Sequence, residues 1–252
     1  MRDFRSILNI IGILLCIEAI AMIIPMIYDI AYNNEDWQQF LFSSLTTFFI
    51  GIILFISFRK QNIKLGIRQA FVLTISSWIL ISIFGAVPFV YSSASLSYTD
   101  AVFESVSGIT TTGATVISNL ENLSEGILIW RALLQWFGGI GIIVLAMAIL
   151  PTLQIGGMQL LHMEHDDPYE KTIPKVNRFV LELFLLYVSL SMICGILYFA
   201  NGMSGFDSVI HAMTTISTGG FSTHNQSIAY FNSFEVELVC MIFMFLSALN
   251  FI

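Results

Sequence analysis

Three long stretches of this chain, 40–58, 69–91 and 132–163, contain no Asp, Glu, Lys or Arg. About 20 apolar residues cross a bilayer as a helix, so each stretch is long enough to span one. A soluble fold accommodates such runs badly, and only 11% of the residues are charged, against about 25% in an ordinary soluble domain. The pattern predicts spans at 6–30, 38–58, 69–91, 127–150 and 178–200, with a sixth running from 237 to 252. An Ala19-Ile20-Ala21 signal-peptidase-like site follows a basic start, Arg2 to Arg5. The apolar run continues past it, so an uncleaved first span is expected.

Lys and Arg orient the spans, because they stay on the cytoplasmic side. Arg2 and Arg5 precede the first span. Arg59, Lys60, Lys64 and Arg68 separate the second and third, and Lys171, Lys175 and Arg178 the fourth and fifth. A cytoplasmic N-terminus puts all of these inside and leaves Arg131 as the basic residue near the outer face. The opposite loops carry Asp29, Glu35, Asp36, Asp100, Glu104, Glu121, Glu125, Asp207, Glu235 and Glu237, a negative vestibule that would concentrate cations.

An internal repeat interrupts this pattern. Residues 98–115 and 205–222 align without gaps at an offset of 107, so that Asp100 meets Asp207, Ile109 meets Ile216, Thr111 meets Thr218 and Gly113 meets Gly220. Each copy lies between two spans. Each opens with a short apolar stretch, 98–109 and 205–216. Twelve helical residues rise about 18 Å, half a bilayer, with an Asp in the first turn where a carboxylate suits the helix dipole. The Thr/Ser/Gly run that follows breaks a helix, and irregular backbone at membrane depth is tolerated only where it is buried or lines a watery cavity. A half-helix entering from outside turns its negative end to the membrane centre. The strand after it can then aim carbonyls at a pore axis, as potassium-selective filters do. Gly113 and Gly220 would supply angles forbidden to other residues.

Thr110-Thr111-Thr112-Gly113-Ala114-Thr115 and Ser217-Thr218-Gly219-Gly220-Phe221-Ser222-Thr223 resemble the first two selectivity-filter segments of the Trk/Ktr/HKT superfamily of cation transporters. The run from Trp130 to Gly141 resembles the helix after the first filter in its Trk-type members. The resemblance covers essentially the whole chain. It implies an all-α polytopic membrane protein: repeated span–pore helix–span units of a pseudo-fourfold cation channel, preceded by two extra spans. Residues 1–68 then match the leading helices. Residues 69–150 match a first unit, with pore helix 98–109 and filter 110–115. Residues 151–177 match a cytoplasmic loop. Residues 178–252 match a second unit, with pore helix 205–216 and filter 217–223, cut short in its last helix. The family pore has four such units. Two filter strands, and a last residue inside an apolar run, lead to the expectation of a truncated product that does not conduct alone.

The implied function is the pore-forming subunit of a potassium uptake system, in the cell inner (plasma) membrane. The implied ligand is a potassium ion held by carbonyls near Thr111, Thr112, Thr218 and Gly219. Sodium-favouring members often carry Ser at the first glycine position, and Gly113 implies potassium. A sodium-permeable or ion-coupled (Na+ or H+) relative is the alternative. The implied partners are membrane lipid, a second copy in a homodimer of the full-length protein, and a cytoplasmic nucleotide-binding regulatory subunit. No nucleic acid and no organic cofactor is expected.

Other features carry weaker signals. His162, His165 and Asp166 lack metalloprotease spacing, so a solvated loop is preferred to an intramembrane enzyme, and no catalytic residue is assigned. A non-conducting scaffold is the third reading. Cys16, Cys194 and Cys240 fall in apolar runs and read as packing residues. Arg131 reads as a snorkelling residue paired with Glu104, Glu121 or Glu125, or as a barrier to outward cation leak. Gly138, Gly139 and Gly141 read as helix packing, or as a gate. Glu18 and Glu182 lie within spans, where carboxylates are functional suspects.

Overall fold

The computed structural model describes residues 4–59, 67–153 and 172–249. Among these the regular structure is helical: α1 Phe4–Ala21, α2 Ile23–Ala31, α3 Trp37–Ser57, α4 Ile67–Gly85, α5 Val87–Tyr91, α6 Tyr98–Ile109, α7 Glu125–Leu153, α8 Thr172–Ala200, α9 Gly205–Ile216 and α10 Phe234–Ala248. Four stretches are long and apolar enough to cross a bilayer, Phe4–Ala31, Trp37–Ser57, Arg68–Tyr91 and Leu181–Ala200. They expose large side chains such as Phe49, Ile56 and Ile196, a surface suited to lipid and not to water. The chain is a multi-pass membrane protein. His162, His165 and Asp166 lie outside the described residues.

Two of the expected spans are found as single stretches, each divided into two helices. The stretch predicted at 6–30 divides at Met22, and that at 69–91 divides at Ala86. Proline explains both. Pro25 and Pro88 fall in the first turn of α2 and α5. Each proline lacks the N–H that would bond back into the preceding helix, at Ala21 O and Phe84 O, while Met22 N still donates to Glu18 O and Ala86 N to Ser82 O.

The leading helices form a tight pair. A Cβ at Gly12 would lie 2.6 Å from Phe55 N, so α1 and α3 approach through backbone. Asn9 Nδ2 donates to Phe55 O at 2.8 Å, and Ser44 Oγ to Ala19 O at 2.8 Å. The pair then docks on the first unit through Met22, Phe40, Phe89, Ile127 and Trp130. At the turn between α2 and α3, Asp36 accepts from Ser93 N, Ser93 Oγ and Ser124 Oγ. Asp29 accepts from Gly126 N at the start of α7. The second unit has its own core of Tyr187, Cys194, Tyr198, Ile216 and Phe243, against which Trp136 and Ile140 of α7 pack. Helix α7 therefore belongs to both units.

Candidate functional site

The helices α6 and α9 are built by the same local devices. Ser97 caps α6 by accepting from Asp100 N, and donates to the Asp100 carboxylate at 2.7 Å. Ser204 and Asp207 repeat both bonds on α9. Sequence reasoning found the two aspartates but not the serines, although Ser-x-x-Asp in both copies is a capping-box pattern.

Both helices also end identically. Thr111 N donates to Gly108 O and Thr112 N to Ser107 O, each at 2.9 Å; Thr218 N donates to Thr215 O at 3.0 Å and Gly219 N to Thr214 O at 2.9 Å. These paired bonds form a Schellman motif, whose turning residue is left-handed and usually Gly. Here it is threonine, with φ +55° at Thr111 and +54° at Thr218. A β-branched residue in that region is a true outlier, and strain of this kind gathers at functional sites. Gly113 and Gly220 follow at φ +79° and +78°. The left-handed positions thus alternate, with the same angles, in both copies.

The two strands meet. A Cβ at Gly113 would lie 2.1 Å from Gly219 O, so the first strand presses backbone on backbone against the second. The hydroxyls fix each strand to its own helix. Thr110, the C-cap, donates to Val106 O and bonds Thr112 Oγ1; Ser107 Oγ donates to Ala114 O at 2.5 Å; Ser217 donates to Thr214 O at 3.2 Å.

One face of α7 braces both copies, through Arg131, Gln135, Gly138 and Gly139. Arg131 is 1% exposed, so it does not snorkel. Its Nε donates to Glu104 Oε1 at 2.8 Å, Nη1 to Ser222 O at 3.0 Å and Nη2 to Thr115 Oγ1 at 3.2 Å. The guanidinium lies 4.1 Å from the Phe221 ring centroid. It holds the first helix, the first strand and the second strand together, and of the acids considered from sequence it chooses Glu104. A buried guanidinium needs a buried partner more than it needs the interface. Glu104 also accepts from Thr115 Oγ1 and Val116 N.

The repeat places His211 where the first copy has Glu104. Its Nδ1 faces Asp207 O at 2.9 Å and its Nε2 faces Ser222 Oγ at 2.9 Å. A carbonyl only accepts, so Nδ1 carries a proton. The second copy thus makes the helix-to-strand link with a ring, where the first uses a carboxylate and its arginine.

Gln135 Oε1 accepts from Phe221 N at 3.0 Å, and a Cβ at Gly219 would collide with the Gln135 amide at 2.3 Å. Nothing in the sequence singles out Gln135 beyond its polarity within an apolar run. Gly138 and Gly139 are packing positions. A Cβ at Gly138 would lie 2.0 Å from Ile109 O, and one at Gly139 would lie 2.6 Å from Tyr187 Oη and 3.1 Å from Ser217 Cβ. Helix α7 therefore touches the ends of α6 and α9 with bare backbone. Gly141 has no described atom within 4 Å of such a Cβ. The loops beyond the strands are joined by Asn225, which accepts from Leu120 N and donates to the Glu121 carboxylate.

Residues 37–252 match the family model described as TrkH, cation transport protein. The Trk system potassium uptake protein TrkH of Halomonas elongata is 40% identical over 252 residues, covering 99% of this chain and 52% of the relative. TrkH of Escherichia coli K12 is 40% identical over 251 residues, covering 98% and 52%. The crystal structure of the potassium transporter TrkH from Vibrio parahaemolyticus superposes with a TM-score of 0.88 at 37% identity, over 98% of this chain and 50% of that one. The chain spans about half the length of the curated relatives it matches, and it belongs to the TrkH family of cation transport proteins.

Proposed function

We propose that this chain supplies two of the four walls of a potassium-selective pore, within a potassium uptake system of the plasma membrane. The observation that carries the reading is the repeated helix end: left-handed angles at Thr111 and Gly113 and again at Thr218 and Gly220, with the strands in backbone contact. Such a strand presents successive carbonyls, and carbonyl oxygens in a ring replace the hydration shell of potassium. The oxygens near Thr111, Thr112, Thr218 and Gly219 are those assigned to the ion. The relatives' names, potassium uptake proteins, agree with this choice of ion. Among the described residues nothing lies within 4 Å of a Cβ at Gly220, where a third strand of the same kind would seat, as the second does on Gly113.

The ion moves down its electrochemical gradient, drawn by the inside-negative potential at about 2.3 kcal/mol per charge per 100 mV, and no covalent step is required. The N-terminus is cytoplasmic in this reading, which puts the openings of α6 and α9 outside. A second copy and a cytoplasmic nucleotide-binding subunit complete the assembly. The test is Gly113→Ser in the complete pore, expressed in a host deficient in potassium uptake. A serine there must displace Gly219 O, so discrimination of potassium over sodium falls. Unchanged selectivity removes Gly113 from the filter.

A further inference from the structure

Glu18, in the last turn of α1, is 7% exposed, and neither of its carboxylate oxygens has a hydrogen-bond partner among the described residues. Glu104 is matched by Arg131, and Asp36 by Ser93 and Ser124. An unmatched carboxylate at membrane depth is among the costliest groups a fold can hold, and it marks a functional site by default.

Other buried hydroxyls on the neighbouring helices are unsatisfied as well. Ser105 Oγ on α6 and Ser77 Oγ on α4 are buried without partners. A Cβ at Gly85 would lie 2.7 Å from Ser105 Oγ and 2.9 Å from Glu18 Oε1, so the two oxygens flank one bare point of the α4 backbone. Glu18 and Ser77 line a cavity of about 480 Å³ that reaches Ile109 and Gly138. It therefore runs from the carboxylate to the C-terminal end of α6, whose dipole is negative. Both ends attract positive charge.

We propose that Glu18 is a cation site separate from the candidate filter, where one positive charge, a proton or an alkali-metal ion, rests on the carboxylate beside the Ser105 hydroxyl, in a cavity that Ser77 also lines. The charge is single because, among the described residues, no second acid faces it. Helix α3 has no ionisable side chain between 40 and 58, and Arg68 sits at the opposite end of α4 from Gly85. Asp29 of α2 is engaged at the start of α7, and Glu104 of α6 and Arg131 of α7 neutralise each other. On α1 itself the neighbouring ionisable group is the Cys16 thiol, two residues before Glu18 and turned toward Gly51 of α3. Occupancy ties the leading helix to α6, and so to the base of the first strand. The site stands whether or not the pore reading does, since it is defined by α1, α4 and α6.

Infrared difference spectra of the complete protein against Glu18→Gln, in choline, sodium and potassium buffers across pH, test it. A protonated-carboxyl stretch that vanishes in the variant identifies a proton. A carboxylate stretch that shifts when choline is replaced by sodium or potassium identifies an alkali ion. A Glu18 carboxylate signal indifferent to pH and to both ions overturns the proposal. Ser105→Ala keeps it falsifiable should Glu18→Gln fail to fold. The thermal midpoint of the parent protein is expected to depend on the same cation and that of Ser105→Ala less so, whereas midpoints of both that ignore pH, sodium and potassium overturn it. Potassium flux is read separately, so its loss alone would count against the pore reading and not against this site.

Discussion

Arg131 donates from Nε to Glu104 Oε1 at 2.8 Å with both side chains sealed from solvent, and the same guanidinium reaches the second strand at Ser222 O. Removing one partner leaves the other charge buried and bare, a loss of about 3–5 kcal/mol. Arg131→Met and Glu104→Gln should each lower the thermal midpoint in detergent strongly. The double variant should recover part of the loss, because neither charge is then stranded. A double variant as unstable as the sum of the two would show that the pair is not coupled.

Gln135 and Gly219 are coupled by contact. Gly219→Ala drives a methyl into the Gln135 amide, while Gln135→Ala leaves Phe221 N–H unpaired at about 1–3 kcal/mol. Combining them removes the collision without a second loss of the bond. A double-mutant cycle on unfolding midpoints should show the pair less destabilised than the sum. Strict additivity would place Gln135 away from that strand.

What could be read from the sequence, and what could not, follows from the range of each signal. Charge-free runs and the 107-residue offset are chain-local patterns, and they locate four of the expected spans and helices α6 and α9. Left-handed angles are legible at Gly113 and Gly220 because glycine advertises them. At Thr111 and Thr218 they are not, since β-branched residues normally avoid that region and only the paired Schellman bonds impose it. Pro25 and Pro88 stood inside unbroken apolar runs, so the helix breaks they cause were submerged in the hydropathy. Arg131 was read by distance along the chain, as an interface residue. Its actual environment is made by Glu104, Thr115 and Ser222, which only the fold brings together.

The loops beyond the two strands should loosen in acid. The backbone N–H of Asn225 holds the Glu121 carboxyl below its ordinary value of 4.5. A carboxylate depressed in the folded state stabilises above its unfolded pKa, and that contribution is lost as pH falls through the folded value. The link between the loops is therefore intact at neutral pH and opens only below the usual glutamate range. Spin labels at Asn122 and Gln226 should give a narrow distance distribution at neutral pH that broadens in acid. Glu121→Gln should broaden it throughout. A distribution that stays narrow in acid would remove Glu121 from the link.

Gly113 and Gly220 share a backbone conformation but not a neighbourhood, and that difference is measurable in this chain. Alanine at either position must occupy a left-handed angle, at a cost of roughly 1–2 kcal/mol. At Gly113 the added carbon also meets Gly219 O at 2.1 Å, which is backbone and cannot swing aside, whereas nothing described lies within 4 Å at Gly220. Gly113→Ala should therefore lower the unfolding midpoint of residues 1–252 more than Gly220→Ala. In a complete four-walled pore the gap should narrow, because a third strand would then press on Gly220 as the second presses on Gly113. Equal losses in the two-unit chain would mean that the strands do not touch at Gly113. A gap that persists unchanged in the complete protein would mean that no third strand seats on Gly220, and the four-walled reading would fail with it.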